Sequence, residues 1–508
     1  MNNIFDLIII GGGSTGAGIA RDMAMRGAKV LLLERNYLAS GATGACQALV
    51  HSGCRYVTQD IETAKECFKE NMIIRKIAKS CVEETGGLFV TVKGDDESYV
   101  DLFLEANEKA KIPVTLINKD EGLKIEPNLS NNIEKVVKVP DAAIDPFKLV
   151  IENIKAALEL GAKIYTHTEV LDLIVEKGKV CGVVAFDKRQ KEKKSLRARL
   201  IINASGAWGS KIAKMAGYDL PLSYSKGSIL ITNSRLTNVV VNRLRPPSDG
   251  DIIVPSETVT LLGTTSVTVK QLDNLQITYT EVETIINEIA KMVPAVRNAR
   301  FLRAYTGVRP LFKEKKATDD RNISRGFRIF DHKNGMISII GGKMITYRLM
   351  AEKVSDLACK ILGIKQECKT HVLPLPSTLK GMKLKAKDRI SLLSDKNKSI
   401  LCECELITKD EVEEVLSKTK TKDLNDIRIE TRMGMGTCQG TFCAHHALGL
   451  MAKMDIVNEK NGNKSLIDFL ERRWRGILPV IDGDQIKEEQ LTEGIYAEIF
   501  NLDKERIE

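Results

Sequence analysis

The chain has 508 residues, 43% hydrophobic and 28% charged, with 76 Lys and Arg against 67 Asp and Glu for a net charge of +9. That length predicts two or three domains rather than one small core, the composition is that of an ordinary soluble protein, and no apolar run approaches the roughly 20 residues of a membrane span. No signal-peptide pattern precedes the first strand and the eleven cysteines argue against a disulfide framework, so the expected location is cytoplasmic, or peripheral on the inner face of the cell membrane.

The surplus positive charge is modest. Lys-rich stretches at 188–199, 313–316 and 380–388 read as solvated loops, with an anionic membrane or acidic partner as the lesser alternative, and no nucleic-acid partner is expected.

Residues 6–34, DLIIIGGGSTGAGIARDMAMRGAKVLLLE, begin with an apolar run, Leu7–Ile10, that reads as a buried parallel strand. Gly11, Gly13 and Gly16 then form G-x-G-x-x-G where a helix should start, with Gly12, Ser14 and Thr15 inside the same turn. The first two glycines let the backbone approach a pyrophosphate, the third lets helix and strand pack closely, and the helix N-terminus faces the anion. Gly27 reads as a left-handed cap and AKVLLLE as the second strand. Glu34 ends it about 20 residues after the glycines, where an acid takes a ribose hydroxyl, with Arg35 beside it. The pattern is a βαβ dinucleotide site for FAD or NAD, and its extreme N-terminal position favours a tightly held flavin.

Residues 39–56, ASGATGACQALVHSGCRY, include Ser40 and Thr43 and are dense in small residues, which lets backbone run close against a cofactor. The segment ends in His51, Arg55 and Tyr56 and reads as a loop under the cofactor's reactive ring. GGGSTGAGIARDMAMRG, SGATGA and HSGCRY together resemble the FAD-dependent glycerol-3-phosphate dehydrogenases, above all those of the anaerobic type. The run ACQAL at 45–49 departs from the Arg-Asn-His-Gly-like sequence expected there. The resemblance implies an α/β fold: an FAD-binding Rossmann-like domain of the two-dinucleotide-binding-domain, D-amino acid oxidase-like kind over residues 1–370, with an inserted mixed-sheet substrate domain.

Further along, 60–84 has helical spacing, GGLFVTV at 86–92 reads as a strand, and a helix is expected near Pro146, followed by an edge strand and a hairpin. The resemblance places backbone groups of Val170 at the adenine. RLIINASGAWG at 199–209 predicts a third parallel strand ending in small residues, and its Gly206 and Trp208 belong to an element similar to the A-T/S-G-A-W run of such flavoproteins, which favours FAD over NAD. From 226 the pattern changes to alternating strands, then a helix near 281–293 and ARFLRAYTGVRPLF. Segments 86–140 and 221–315 are the expected substrate cap. Residues 334–362 repeat strand, glycine turn and helix. There the resemblance puts Gly341, Gly342 and Lys343 beside the flavin ring and Thr346 on the first helical turn.

HVLPLPSTLKG at 371–381 opens an expected linker, 371–398. Cys402-Glu-Cys404 is followed after 33 residues by Cys438-Gln-Gly-Thr-Phe-Cys443. Four thiolates suit zinc or a [2Fe-2S] cluster, and this spacing departs from the C-x2-C pairs of zinc sites. Residues 399–453 resemble the bacterioferritin-associated-ferredoxin-like (BFD-like) [2Fe-2S] domain, with Gly434, Gly436 and Gly440 letting backbone approach the sulfurs. The helical tail, 454–508, carries Arg472, Arg473, Trp474 and Arg475, read as packing on the flavin domain or touching a partner or lipid.

The resemblance and the chemistry together imply oxidation of sn-glycerol 3-phosphate to dihydroxyacetone phosphate. His51 is the candidate base, with Tyr56 orienting it, and Arg55, Arg309, Arg325 and Lys343 supply cations for the phosphate and the developing alkoxide. Electrons would pass to an acceptor protein of the same complex or to a quinone chain. Two rivals stand beside this reading: a 2-hydroxyglutarate-like hydroxy acid dehydrogenase, and a flavin and iron–sulfur electron-transfer subunit whose own pocket is inert.

Overall fold

The structure is a computed structural model that describes residues 4–312, 326–380, 386–419 and 421–502. Strand β1 (Phe5–Ile10) needs burial on both faces, and it lies inside a largely parallel sheet with Leu7, Ile8 and Ile9 fully buried. Lys163–Tyr165 and β2 (Val30–Leu33) flank it on one side; the C-terminal half of Glu192–Asn203 and then Met336–Gly341 flank it on the other. The N-terminal half of Glu192–Asn203 leaves this sheet to pair antiparallel with Lys179–Asp187, which pairs in turn with Thr168–Glu176. Helix α1 (Ser14–Met25) packs against helices Pro146–Glu159 and Tyr347–Leu362 in one apolar cluster over the sheet.

A second sheet of nine strands is assembled from two distant stretches of chain. Gly87–Val92 and Ile133–Val139 come from the first, and Leu222–Thr232, Val240–Arg243, Ile252–Ser256, Val259–Gly263 and Phe301–Phe312 from the second. The two stretches join where Gly87–Val92 runs parallel to Val240–Arg243, while the other neighbours are antiparallel. Helix Tyr279–Met292 starts at a Thr278/Glu281 capping box and buries Val282, Ile285, Ile289 and Met292 against this sheet.

The four late cysteines belong to a third unit, a small hairpin (Ile400–Cys402 with Ile407–Thr408) and five helices between Lys409 and Phe500. Its core joins Leu416, Leu424 and Met451 to Leu466, Phe469 and Tyr496, so the helices read as a tail fold into the same core as the cysteine segment. Residues 371–380 are packed rather than slack: Leu375 is fully buried, Ser377 N–H donates to Glu152, and Arg21 donates to the Leu373 carbonyl.

A buried clasp holds the cysteine unit to the first domain. Arg432 donates to Asp145 Oδ2 (2.5 Å), which caps helix Pro146–Glu159, and to Glu405 Oε2 (2.7 Å). Both carboxylates are buried, and Ile429 enters the core of the parallel sheet beside them. Arg432→Met is expected to cost about 3–5 kcal/mol, because it strands two buried carboxylates; a chemical-unfolding loss below about 1 kcal/mol would show that the clasp does not hold the units together.

Candidate functional site

A cavity of about 400 Å3 opens between the C-terminal ends of the parallel strands and the second sheet. At one end lies the glycine turn. Gly11 has φ +112°, and a Cβ there would sit 2.6 Å from the Ala204 carbonyl oxygen; a Cβ on Gly16 would sit 1.9 Å from the Gly11 oxygen. Only glycine fits either place, and the close approach leaves the first amides of α1 facing the cavity. Gly16 itself packs behind the turn, while Gly11, Gly12, Gly13, Ser14 and Thr15 line the wall.

Glu34 is fixed at the end of β2. One carboxylate oxygen accepts from Gly12 N–H (2.8 Å), the other from Asn36 N–H (2.9 Å) and the Ser40 hydroxyl (3.3 Å). Thr43 Oγ1 accepts from Ser14 N–H (3.0 Å) and steadies the anion-facing turn. Val170, Gly206 and Trp208 line the same end, with the Arg35 guanidinium 4.0 Å above the Trp208 ring. A dinucleotide would fit this cradle with the acid toward a ribose and the amides toward the pyrophosphate.

At the other end His51, Arg55, Tyr56, Arg309 and Lys343 converge. His51 Nδ1 accepts from Gly53 N–H (3.2 Å), and its ring meets Tyr56 edge-on at 5.5 Å. Burial first, then the Lys343 and Arg55 cations, push His51 down to about 3, so the imidazole is neutral at ordinary pH. The Lys343 ammonium lies 4.7 Å over the Tyr56 ring.

Arg309 is aimed by Thr264 Oγ1 (2.9 Å) and the Thr265 carbonyl (3.2 Å), and Gly227 leaves it room, since a Cβ there would lie 2.3 Å from its Nη2. Arg55 Nη2 pairs with Asp251 (2.9 Å), itself shared with Arg245 (2.8 Å), whereas Arg55 Nη1 is buried without any acceptor. Asp251, Arg245, Thr264 and Thr265 went unnoticed in the sequence; no local pattern marks them, because their roles depend on strands brought together from elsewhere.

One placement differs from expectation. Thr346 does not face the cavity: it lies on a single 3-10 turn before the helix, and its hydroxyl pairs with the Lys343 backbone N–H (3.2 Å) and carbonyl (3.1 Å). The left-handed Gly341 and Gly342 (φ +84° and +75°) delay the helix start by that turn. Arg325 lies outside the described residues. Of the tail arginines, Arg472 stacks on Tyr37 at 4.3 Å and Arg473 pairs with Glu489 at 2.6 Å, while Arg475 is exposed.

The late cysteines form two pairs. Cys402 and Cys443 are within hydrogen-bond reach of each other, as are Cys404 and Cys438, while no three of the four sulfurs lie within 4.8 Å of one another. A single tetrahedral zinc needs all four together; a two-iron centre needs two thiolates at each iron, and the pairs fit that. The Cys438 thiol beside it holds Cys404 below the usual thiol range. A Cβ on Gly436 would meet Cys404 Cβ at 2.3 Å, so the two cysteine loops touch only because this residue is glycine.

Residues 6–348 match the FAD dependent oxidoreductase family, and residues 400–453 match the BFD-like [2Fe-2S] binding domain. A subunit of the anaerobic glycerol-3-phosphate dehydrogenase of Haemophilus influenzae is 41% identical over 525 residues, covering 98% of this chain and 93% of its own. The corresponding subunit from Escherichia coli K12, which bears the same name, is 40% identical, covering 99% and 98%. The solved structure of glycerol-3-phosphate dehydrogenase from Bacillus halodurans complexed with FAD shares the fold, with a TM-score of 0.67 over 95% of this chain and 97% of that one at 22% identity. Among the described residues no helix is long and apolar enough to cross a membrane. With a glycine turn at the end of β1, two cysteine pairs and this likeness from end to end, the chain belongs to the FAD-dependent oxidoreductases and, within them, to the family of these anaerobic glycerol-3-phosphate dehydrogenase subunits.

Proposed function

We propose that the cavity oxidises sn-glycerol 3-phosphate to dihydroxyacetone phosphate and that the electrons leave through the four-cysteine centre to an acceptor protein. When bound, FAD accepts a hydride equivalent and the [2Fe-2S] centre carries single electrons onward. The observation that carries the reading is Arg55 Nη1, a buried donor without an acceptor in the wall that also holds Lys343, Arg309 and His51. A phosphate dianion satisfies that donor and is met by the other cations.

His51 takes the C2 hydroxyl proton at Nδ1, which gives up for it the hydrogen bond it accepts from Gly53 N–H (3.2 Å). Phosphate beside Arg55 and Lys343 offsets the two cations that depress His51, so substrate binding raises its basicity when a base is needed. Tyr56 holds the imidazole edge-on, and Lys343 steadies the developing alkoxide from above that ring. The relatives are named as one subunit of a larger enzyme, which supports companion subunits in the role of electron acceptor. A quinone chain beyond them, with this chain peripheral at the cytoplasmic face of the membrane, completes the proposal.

The test is bleaching of the flavin under anoxic conditions, expected with glycerol 3-phosphate and absent with 2-hydroxyglutarate; the reverse pattern would overturn the substrate assignment. Arg55→Gln is expected to raise KM roughly 10- to 100-fold, the worth of a charge-assisted hydrogen bond. An unchanged KM would remove Arg55 from the phosphate site.

A further inference from the structure

Strand Phe301–Phe312 reaches both redox sites with one face. Side chains two apart point the same way: Gly307 and Arg309 line the cavity, Tyr305 donates to the Cys46 carbonyl (3.0 Å), and Arg303 Nη1 donates to Gln439 Oε1 (3.3 Å) inside the Cys438–Cys443 loop. The Gln439 amide in turn donates to the carbonyls of Met435 (3.1 Å) and Gly436 (2.9 Å), so Arg303 braces the turn that carries Cys438. Four residues of strand, on the order of 13 Å, separate Gly307 in the cavity wall from Arg303 at the cysteine loop.

A second guanidinium, on Arg428 of helix Leu424–Thr431, lies within electrostatic reach of Arg303, Arg432 and Cys443; Arg432 and Arg473, the other cations beside this pair, have carboxylate partners of their own. The Nε of Arg303 and that of Arg428 are shielded from solvent and have no acceptor. Among the described residues neither forms an ion pair, and burial pushes both below the usual arginine range. Two neighbouring cations in a poorly hydrated place repel each other and lose hydration, so their company is stable only beside an anion. Cys443 lies within reach of Arg428, and Arg303 meets the Cys438 turn through Gln439.

We propose that Arg303 and Arg428 are the countercharge of the [2Fe-2S] centre and raise its reduction potential, which makes it an electron sink on the side facing the cavity. Each electron added makes an already anionic four-thiolate centre one charge more negative, and a fixed cation favours that reduced state over the oxidised one. The inference rests on Cys402, Cys404, Cys438 and Cys443 being the cluster ligands.

The experiment is a redox titration of the anaerobically purified full-length protein followed by the electron paramagnetic resonance signal of the reduced centre. Arg303→Gln and Arg428→Gln are each expected to shift the one-electron equilibrium at least tenfold toward the oxidised state, a fall of 59 mV or more. Arg303→Lys and Arg428→Lys keep the charge and should stay near the wild-type midpoint. Arg300→Gln, at an exposed arginine paired with Glu488, should leave the midpoint where it is. Gln variants that retain iron and acid-labile sulfide with an unmoved midpoint overturn the proposal. Lys variants that fall as far as the Gln variants also overturn it, and they decide the matter at any position where the Gln variant loses its cluster. A wild-type protein without a [2Fe-2S] signal would instead overturn the assignment of the ligands.

Discussion

His51→Asn is expected to slow anaerobic flavin reduction by glycerol 3-phosphate roughly 10²- to 10⁴-fold, the usual contribution of a positioned general base. Asparagine keeps a polar group in the space but cannot accept the proton, so flavin content should be unchanged and the loss should fall on the reductive step. The alternative is that the imidazole only shapes the pocket, and a rate within threefold of wild type in a stopped-flow trace would establish that. The pH behaviour separates the two further. Burial, Lys343 and Arg55 hold the free protein's His51 near 3, so it adds no acid limb to kcat/KM above pH 5. Stability carries the matching sign. Its folded value lies below the unfolded value of about 6.5, so the contribution is complete above pH 6.5 and is lost as pH falls from there toward 3. The Asn variant should lack that part of the acid-induced decline in thermal stability.

Cys404→Ser is expected to abolish iron binding and to lower reduction of a one-electron protein acceptor roughly 100-fold or more, since losing even an outer-shell partner costs a metal site 10- to 100-fold. Flavin bleaching by substrate should continue, because Cys404 does not line the cavity. That split between entry and exit of electrons is the signature of two centres in series. Cys404 and Cys438 are partly exposed whereas Cys402 and Cys443 are buried, so the first pair would hold iron toward the surface and the second toward the interior. Metal analysis of the wild-type protein that returned zinc, or a Cys404→Ser variant with full iron and sulfide, would overturn the assignment.

What the sequence made legible was locally encoded. The glycine turn, Glu34 at the end of β2 and the two cysteine pairs each declare themselves within a few residues, because their backbone or ligand requirements are met by neighbours in the chain. The parallel strand at 199–203 and the insertion of the second sheet were legible from the switch of hydrophobic period. The remainder depends on contacts between distant segments. No spacing says that Cys402 partners Cys443 and Cys404 partners Cys438, that Asp251 ties Arg55 to Arg245, or that Leu466 and Tyr496 share a core with Leu424. The resemblance puts Thr346 on the first helical turn, whereas its hydroxyl is taken up by the Lys343 backbone on a single 3-10 turn before the helix, a local arrangement that the residue names alone do not reveal.

The Asp145–Arg432–Glu405 clasp and the intrusion of Ile429 into the neighbouring core leave the cysteine unit no joint on which to swing. Many redox proteins ferry electrons by letting a tethered carrier domain commute between docking positions, and their turnover then depends on the viscosity of the medium. Here the spacing between the cavity and the four cysteines is set by the scaffold, so internal transfer to a centre held there should be indifferent to added sucrose or glycerol, and any motion that limits the overall rate should lie with whatever collects the electrons outside.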